Sequence, residues 1–173
     1  MIEDNIKIKT CCFTGHRPKA LPWGHNENDL RCVSFKSKIK FTVENLIVEN
    51  GYKKFISGMA MGADTICAEI VLLLKNIYPY IKLECAVPNH AFTEGWAAED
   101  VRRYSSILTR ADCIKFVSDS RTYSKRDLML RNIYMVDSSE LVIAVYIAGE
   151  TGGTKNTIDY AEYRHKEVMV IEP

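Results

Sequence analysis

Lys54-Phe55-Ile56-Ser57-Gly58-Met59-Ala60-Met61-Gly62-Ala63-Asp64 decides the architecture of this chain. A short apolar strand runs into a glycine-rich turn. The turn opens a helix whose apolar residues Ile66, Ile70, Leu73 and Leu74 recur every three or four positions. The same unit repeats on either side. Apolar runs predict strands at Ile6–Thr14, Lys54–Ser57, Ile81–Val87, Asp112–Val117, Glu140–Ile147 and Glu167–Ile171. Several are nearly continuous in apolar residues, as strands buried on both faces are. Between them, Phe35, Ile39, Val43, Leu46 and Ile47 form one helical stripe, and Val101, Tyr104, Ile107 and Leu108 form another. A fourth helix is predicted over Ser124–Asp137, with Ser124 and Asp127 as a capping box, and a fifth follows Gly153. Strand then helix, five times over, predicts one α/β domain across 1–173: a doubly wound, mainly parallel sheet with helices on both faces.

The 173 residues suit one domain of this kind, and no low-complexity linker or fixed-period repeat divides them. Apolar residues make up 47% and charged residues 26%, which excludes disordered, fibrous and disulfide-scaffold classes. With 23 Lys+Arg against 22 Asp+Glu the net charge is +1, so no overall basic field exists to hold a nucleic-acid backbone. Met1 to Lys9 mixes acids and lysines without a continuous apolar stretch, so neither a signal peptide nor a membrane anchor is expected. No segment reaches the roughly 20 apolar residues of a spanning helix, and no membrane partner is expected. Six cysteines lack any C-x-x-C pair and fall mostly in apolar runs, which fits a reducing cytoplasm. Adjacent Cys11 and Cys12 point to opposite faces of their strand, which suits packing better than redox chemistry. His25, His90 and His165 have no metal-ligand spacing, so neither a metal nor another cofactor is expected.

In open parallel sheets the ligand crevice lies beyond the carboxyl ends of the strands, near the point where strand order reverses. The informative residues are therefore those just after strands. Ser57, Gly58, Met59, Gly62 and Asp64 form the first such turn, where glycines admit a close ligand and the helix start favours an anion. The competing reading is a tight turn with Asp64 in a first helical turn. Thr151-Gly152-Gly153-Thr154 makes a second phosphate-sized cradle, with Thr154 either capping the helix or bonding a phosphate oxygen. Neither turn ends in Gly-Lys-Ser/Thr, and G-x-G-x-x-G is absent after the first strand, which excludes P-loop and dinucleotide fingerprints. There, Gly15, His16 and Arg17 open into the crevice instead; Arg17 suits a phosphate or carboxylate, and His16 a donor or base. Arg131 and Asn132 lie inside the fourth helix, and Asp127 four residues before Arg131 predicts a surface ion pair. Trp23, Phe92 and Trp96 stand beside these loops, placed either to stack on a base or to roof the core.

Four stretches together resemble the YpsA-like branch of the SLOG superfamily: Thr14-Gly15-His16-Arg17-Pro18, Ser57 to Asp64, Arg131 to Asp137, and Gly152-Gly153-Thr154. The resemblance spans nearly the whole chain and implies a Rossmann-like fold. Ser57 to Asp64 is similar to the S-G-x-A-x-G-x-D signature of DprA-type proteins, which bind single-stranded DNA. Arg131 and Met135 match the R-K-x-x-M of LOG-type phosphoribohydrolases, with Asn132 replacing the lysine. Gly152-Gly153 falls where those enzymes carry P-G-G-x-G-T-x-x-E, but Thr157 stands at the position of the catalytic glutamate. N-glycosidic cleavage needs a carboxylate there, which counts against LOG-type hydrolysis while leaving the phosphate cradle; Glu150, Asp159, Glu162, Asp64 and Asp137 are the candidate substitutes.

The expected function is binding of a nucleotide or nucleotide-derived small molecule at the carboxyl edge of the sheet, in a ligand-binding or sensory role. The rivals are a hydrolase acting on a nucleotide's N-glycosidic or phosphate bond, and single-stranded nucleic-acid binding as in DprA. The +1 charge argues against nucleic acid as a partner. A homo-oligomer is compatible with any of these.

Overall fold

The computed structural model describes residues 8–173, so the start of the predicted first strand and most of the Met1–Lys9 segment lie outside the described residues. Strands β1 (Thr10–Gly15), β2 (Lys54–Ser57), β3 (Lys82–Val87), β4 (Cys113–Phe116), β5 (Leu141–Val145) and β6 (Glu167–Ile171) alternate with five helices. These are α1 (Leu30–Val48), α2 (Ala63–Lys75), α3 (Ala98–Arg110), α4 (Lys125–Asp137) and α5 (Gly153–Tyr163), with a short 3-10 turn at Pro18–Ala20 after β1. All five strand pairings are parallel, in the order β4-β3-β2-β1-β5-β6. The chain thus works outward from β1 to one edge, crosses back, and lays β5 and β6 on the other side. Strand order reverses between β1 and β5.

Alternation along the strands divides the core into two layers. Cys11, Phe55, Cys85 and Ile143 face the layer that includes Ile39 and Val43 of α1, Val71 of α2 and Ile107 of α3. Cys12, Ile56, Ala86 and Val142 face Met135 and Val136 of α4 and Ala161 of α5. The central strands are buried on both faces, as their apolar runs predict. At β4 the expectation fails: Cys113, Ile114 and Lys115 are exposed, because β4 is an edge strand. All six cysteines are free, five of them buried. No helix among the described residues is long and apolar enough to cross a membrane.

α4 begins one residue after its predicted start. Ser124 is its N-cap and accepts from the Asp127 N–H at 3.3 Å, a contact worth about 1 kcal/mol. Asp127 does not complete the box; its carboxylate instead accepts from Asn89 Nδ2 at 2.7 Å, tying the loop after β3 to the start of α4.

The β1 end is set by a close approach. A Cβ on Gly15 would lie 2.5 Å from Ala63 Cβ and 2.8 Å from Val145 Cβ, so only glycine lets α2 start this near β1 and β5. Gly15→Ala is expected to destabilise the fold by about 1–3 kcal/mol through overpacking. Urea denaturation checks this: the midpoint should fall with an unchanged m-value.

Candidate functional site

A cavity of about 320 Å³ opens beyond the carboxyl ends of β1 and β5, at the reversal of strand order. Gly15, His16 and Arg17 enter it from β1, Asp64 from the start of α2, Arg131 and Asn132 from α4, and Gly153 and Thr154 from the start of α5. Four segments far apart in sequence thus meet on one edge. Ser57, Gly58, Met59, Gly62 and Gly152 do not line it; they shape the turns behind it.

The β2–α2 turn is held by Ser57. Its hydroxyl donates to the Asp64 carbonyl at 2.9 Å and accepts from the Met59 N–H at 3.2 Å, while Met59 is buried in the left-handed region at φ 61°. Gly62, at φ 96°, packs beneath the next loop: a Cβ there would sit 2.7 Å from the His16 carbonyl, which accepts from Ala63 N. The turn is therefore clamped under His16 and Arg17, and Asp64 is delivered to the cavity wall.

Arg131 explains the turn's first glycine. Its side chain reaches from α4 across the sheet edge and donates from Nη1 to the Gly58 carbonyl; a Cβ on Gly58 would overlap the guanidinium. The same nitrogen lies 3.8 Å from Asp64 Oδ2, and Phe92 lies under the guanidinium at 5.7 Å. Arg131 is 6% exposed and Asp64 4%. The predicted Asp127–Arg131 surface pair does not form, because each partner has a buried destination of its own. Phe92 and Trp23 are buried in the core rather than available for stacking. Burial pushes the Asp64 carboxyl up to about 6, against the pull of Arg131 and the Ala60 N–H. Burial also lowers Arg131 from its usual range, an effect opposed by Asp64. Asp64 Oδ1 and Arg131 Nε have no hydrogen-bond partner among the described residues.

His16 is buried at the mouth of β1, and its Nε2 accepts from the Ile147 N–H at 3.0 Å. That bond needs an unprotonated Nε2, so the proton of the neutral ring sits on Nδ1 and Nε2 is not free to act as a base. Burial lowers the His16 pKa, in keeping with the neutral form. Arg17 is exposed and, among the described residues, its side chain has no hydrogen-bond or ion-pair partner. Across the cavity, α5 starts from Gly152 at φ 114° without a side-chain cap. The N–H groups of Gly153, Thr154 and Lys155 find no acceptor among the described residues, and a Cβ on Gly152 or Gly153 would meet nothing within 4 Å. The Thr154 hydroxyl caps nothing.

Thr157 lies on α5 outside this cavity, with its hydroxyl bonded to the Gly153 carbonyl at 2.8 Å. Among the carboxylates proposed as substitutes, Asp64 alone lines the cavity. Asp137 pairs with Arg164, and Asp159 with Lys155. A larger cavity of about 390 Å³ is lined in part by Pro18 and Gly62; Glu27 in its wall is paired with Arg103, which leaves Glu99 and Asp100 to make it less suited to an anion. Asn89, one of the residues directly after a strand where the parallel-sheet rule looks for function, is spent inside the protein: its Nδ2 donates to Asp127 and ties down the start of α4.

A solved structure of the DNA processing protein A of Helicobacter pylori, described for its single-stranded DNA binding mode, shares the fold. Its TM-score is 0.65 at 16% identity, covering 96% of this chain and 66% of that one, just under two thirds of the larger protein. The expectation that nucleic acid is not a partner is corrected by this neighbour: a protein of the same fold binds single-stranded DNA. Net charge does not decide the matter, because it averages over the whole surface, whereas recognition depends on the charge at one edge. The chain is also 32% identical over 140 residues to the SPbeta prophage-derived protein YoqJ of Bacillus subtilis, covering 75% of this chain and 81% of that one. It is 26% identical over 156 residues to a UPF0398 protein of Bacillus thuringiensis, covering 90% and 83%. The model described as the YspA SLOG family matches residues 11–172, and the chain belongs to that family.

Proposed function

We propose that the cavity binds a nucleotide or nucleotide-derived small molecule through its phosphate, and that the protein acts as a ligand binder or sensor. The observation that carries this reading is the facing pair of unused donors: the uncapped first turn of α5, open at Gly152 and Gly153, and the unpartnered guanidinium of Arg17. A helix start with free N–H groups and an arginine fork suit a phosphate better than any neutral group. Calorimetry with AMP and ribose 5-phosphate tests it. Gly153→Val fills the cradle and is expected to abolish binding of both while leaving the fold intact. Arg17→Ala, removing one charge-assisted contact of about 1.5–3 kcal/mol, is expected to weaken binding tenfold or more. Full affinity in Gly153→Val would overturn the placement.

The absent glutamate favours binding over hydrolysis. Glycosidases ordinarily work with a pair of carboxylates, and this cavity has one, already engaged with Arg131. General acid–base help is worth about 10²- to 10⁴-fold in rate, so AMP is expected to bind without measurable release of adenine. Rapid base release by the wild-type protein, followed by chromatography, would promote the hydrolase instead.

The fold shared with the Helicobacter pylori protein supports a second reading, in which the same cradle holds one phosphate of a single strand. On that reading, a labelled oligodeoxynucleotide followed by fluorescence anisotropy binds in a salt-dependent manner, is displaced by AMP, and is lost with Gly153→Val. Binding that survives both AMP and Gly153→Val would place the strand elsewhere.

A further inference from the structure

A slot of about 280 Å³ runs between α4 and α5, beside the cavity and sharing Asn132 with it. Its walls are Met129 and Ile133 on α4 and Thr157 and Tyr160 on α5, with Asn132 and Asn156 contributing one side-chain amide from each helix. Neither amide makes a side-chain hydrogen bond among the described residues. The Tyr160 ring is held in place: its hydroxyl donates to Asp137 and accepts from Arg164 at 2.8 Å. Met129 opposite is exposed and unbranched, so it can adjust to a flat guest. The Thr157 hydroxyl, turned back onto Gly153, presents no charge to the slot.

A mostly apolar slot with two amides unpaired among the described residues, opening beside a phosphate cradle, has the chemistry of a base pocket. A side-chain amide offers a donor and an acceptor side by side, which pairs with the N6 amine and N7 of adenine. Hypoxanthine presents acceptors at both of those positions and matches one amide poorly. Resting on the phosphate reading above, we infer that the ligand is an adenine nucleotide whose base enters the slot between α4 and α5 and is read by Asn132 and Asn156.

The test compares AMP, IMP and ribose 5-phosphate by calorimetry on the full chain, for wild type, Asn156→Ala and Met129→Glu. Both substituted residues are exposed and helical, so both variants are expected to fold. Wild type should bind AMP tenfold or more tighter than IMP or ribose 5-phosphate, in line with about 1–3 kcal/mol for a good bidentate contact. Both variants should lose that preference and keep wild-type affinity for ribose 5-phosphate. If AMP and ribose 5-phosphate bind wild type equally, or the preference survives both substitutions, the slot does not hold the base, and the phosphate site stands without it. If neither compound binds wild type, the phosphate reading falls and the inference falls with it.

Discussion

A guanidinium cannot sit 6% exposed in an apolar layer without strong compensation, and the way Arg131 obtains it organises the whole sheet edge. Its compensation comes from the β2–α2 turn and the start of α2: the Gly58 carbonyl, 73 residues earlier, and the Asp64 carboxylate. The Phe92 ring adds the loop after β3. One side chain therefore joins four segments that the strand ladder alone would leave independent. Buried ion pairs gain little net stability over apolar packing, but losing one partner strands the other, typically at about 3–5 kcal/mol. The contact is best understood as fixing geometry: it holds Asp64 and the start of α2 in register with α4.

Close packing at two glycines makes that geometry attainable. Gly15 lets α2 begin against β1 and β5, and Gly58 leaves the space that the guanidinium fills. Replacing either would separate elements whose proximity forms the cavity. What looks in the sequence like a ligand-binding glycine can thus be a packing glycine. Gly153 differs: among the described residues nothing lies within 4 Å of where its Cβ would be, so packing within the fold does not require a glycine there.

This distinction marks what was legible in the sequence. Strands, helices and the location of the crevice follow from periodicity and from the rule for parallel sheets, and β6 falls within its predicted bounds to the residue. Exposure of β4 was not legible, because an apolar run does not reveal which strand ends at an edge. The partner of Arg131 was hidden for a similar reason. Spacing of four proposes Asp127, a local solution, whereas the fold supplies the Gly58 carbonyl and Asp64 from far along the chain and supplies Asn89 to Asp127. Local pairs are visible in sequence; pairs made by topology are not. The family resemblance pointed to these turns, but it could not say that Ser57 and Gly62 build the turn while Arg17 and Gly153 line the cavity.

The balance of donors and acceptors then decides what class of ligand suits the edge. His16 is fixed as the Nδ1–H tautomer because its Nε2 is spent on Ile147 N, so it adds a donor to the cavity wall. Arg17, the first turn of α5 and the Thr154 hydroxyl add more. Asp64 is the one carboxylate among the lining residues, and its charge is opposed by Arg131 and weakened by burial. A wall with many donors and one compensated acid is locally more positive than the chain as a whole, which is close to neutral. Because strand order reverses between β1 and β5, no crossover helix covers the gap above them, and these donors come from loops on both sides of that gap. The electrostatics of the site are therefore a consequence of topology: the same residues on a sheet without this reversal would not converge.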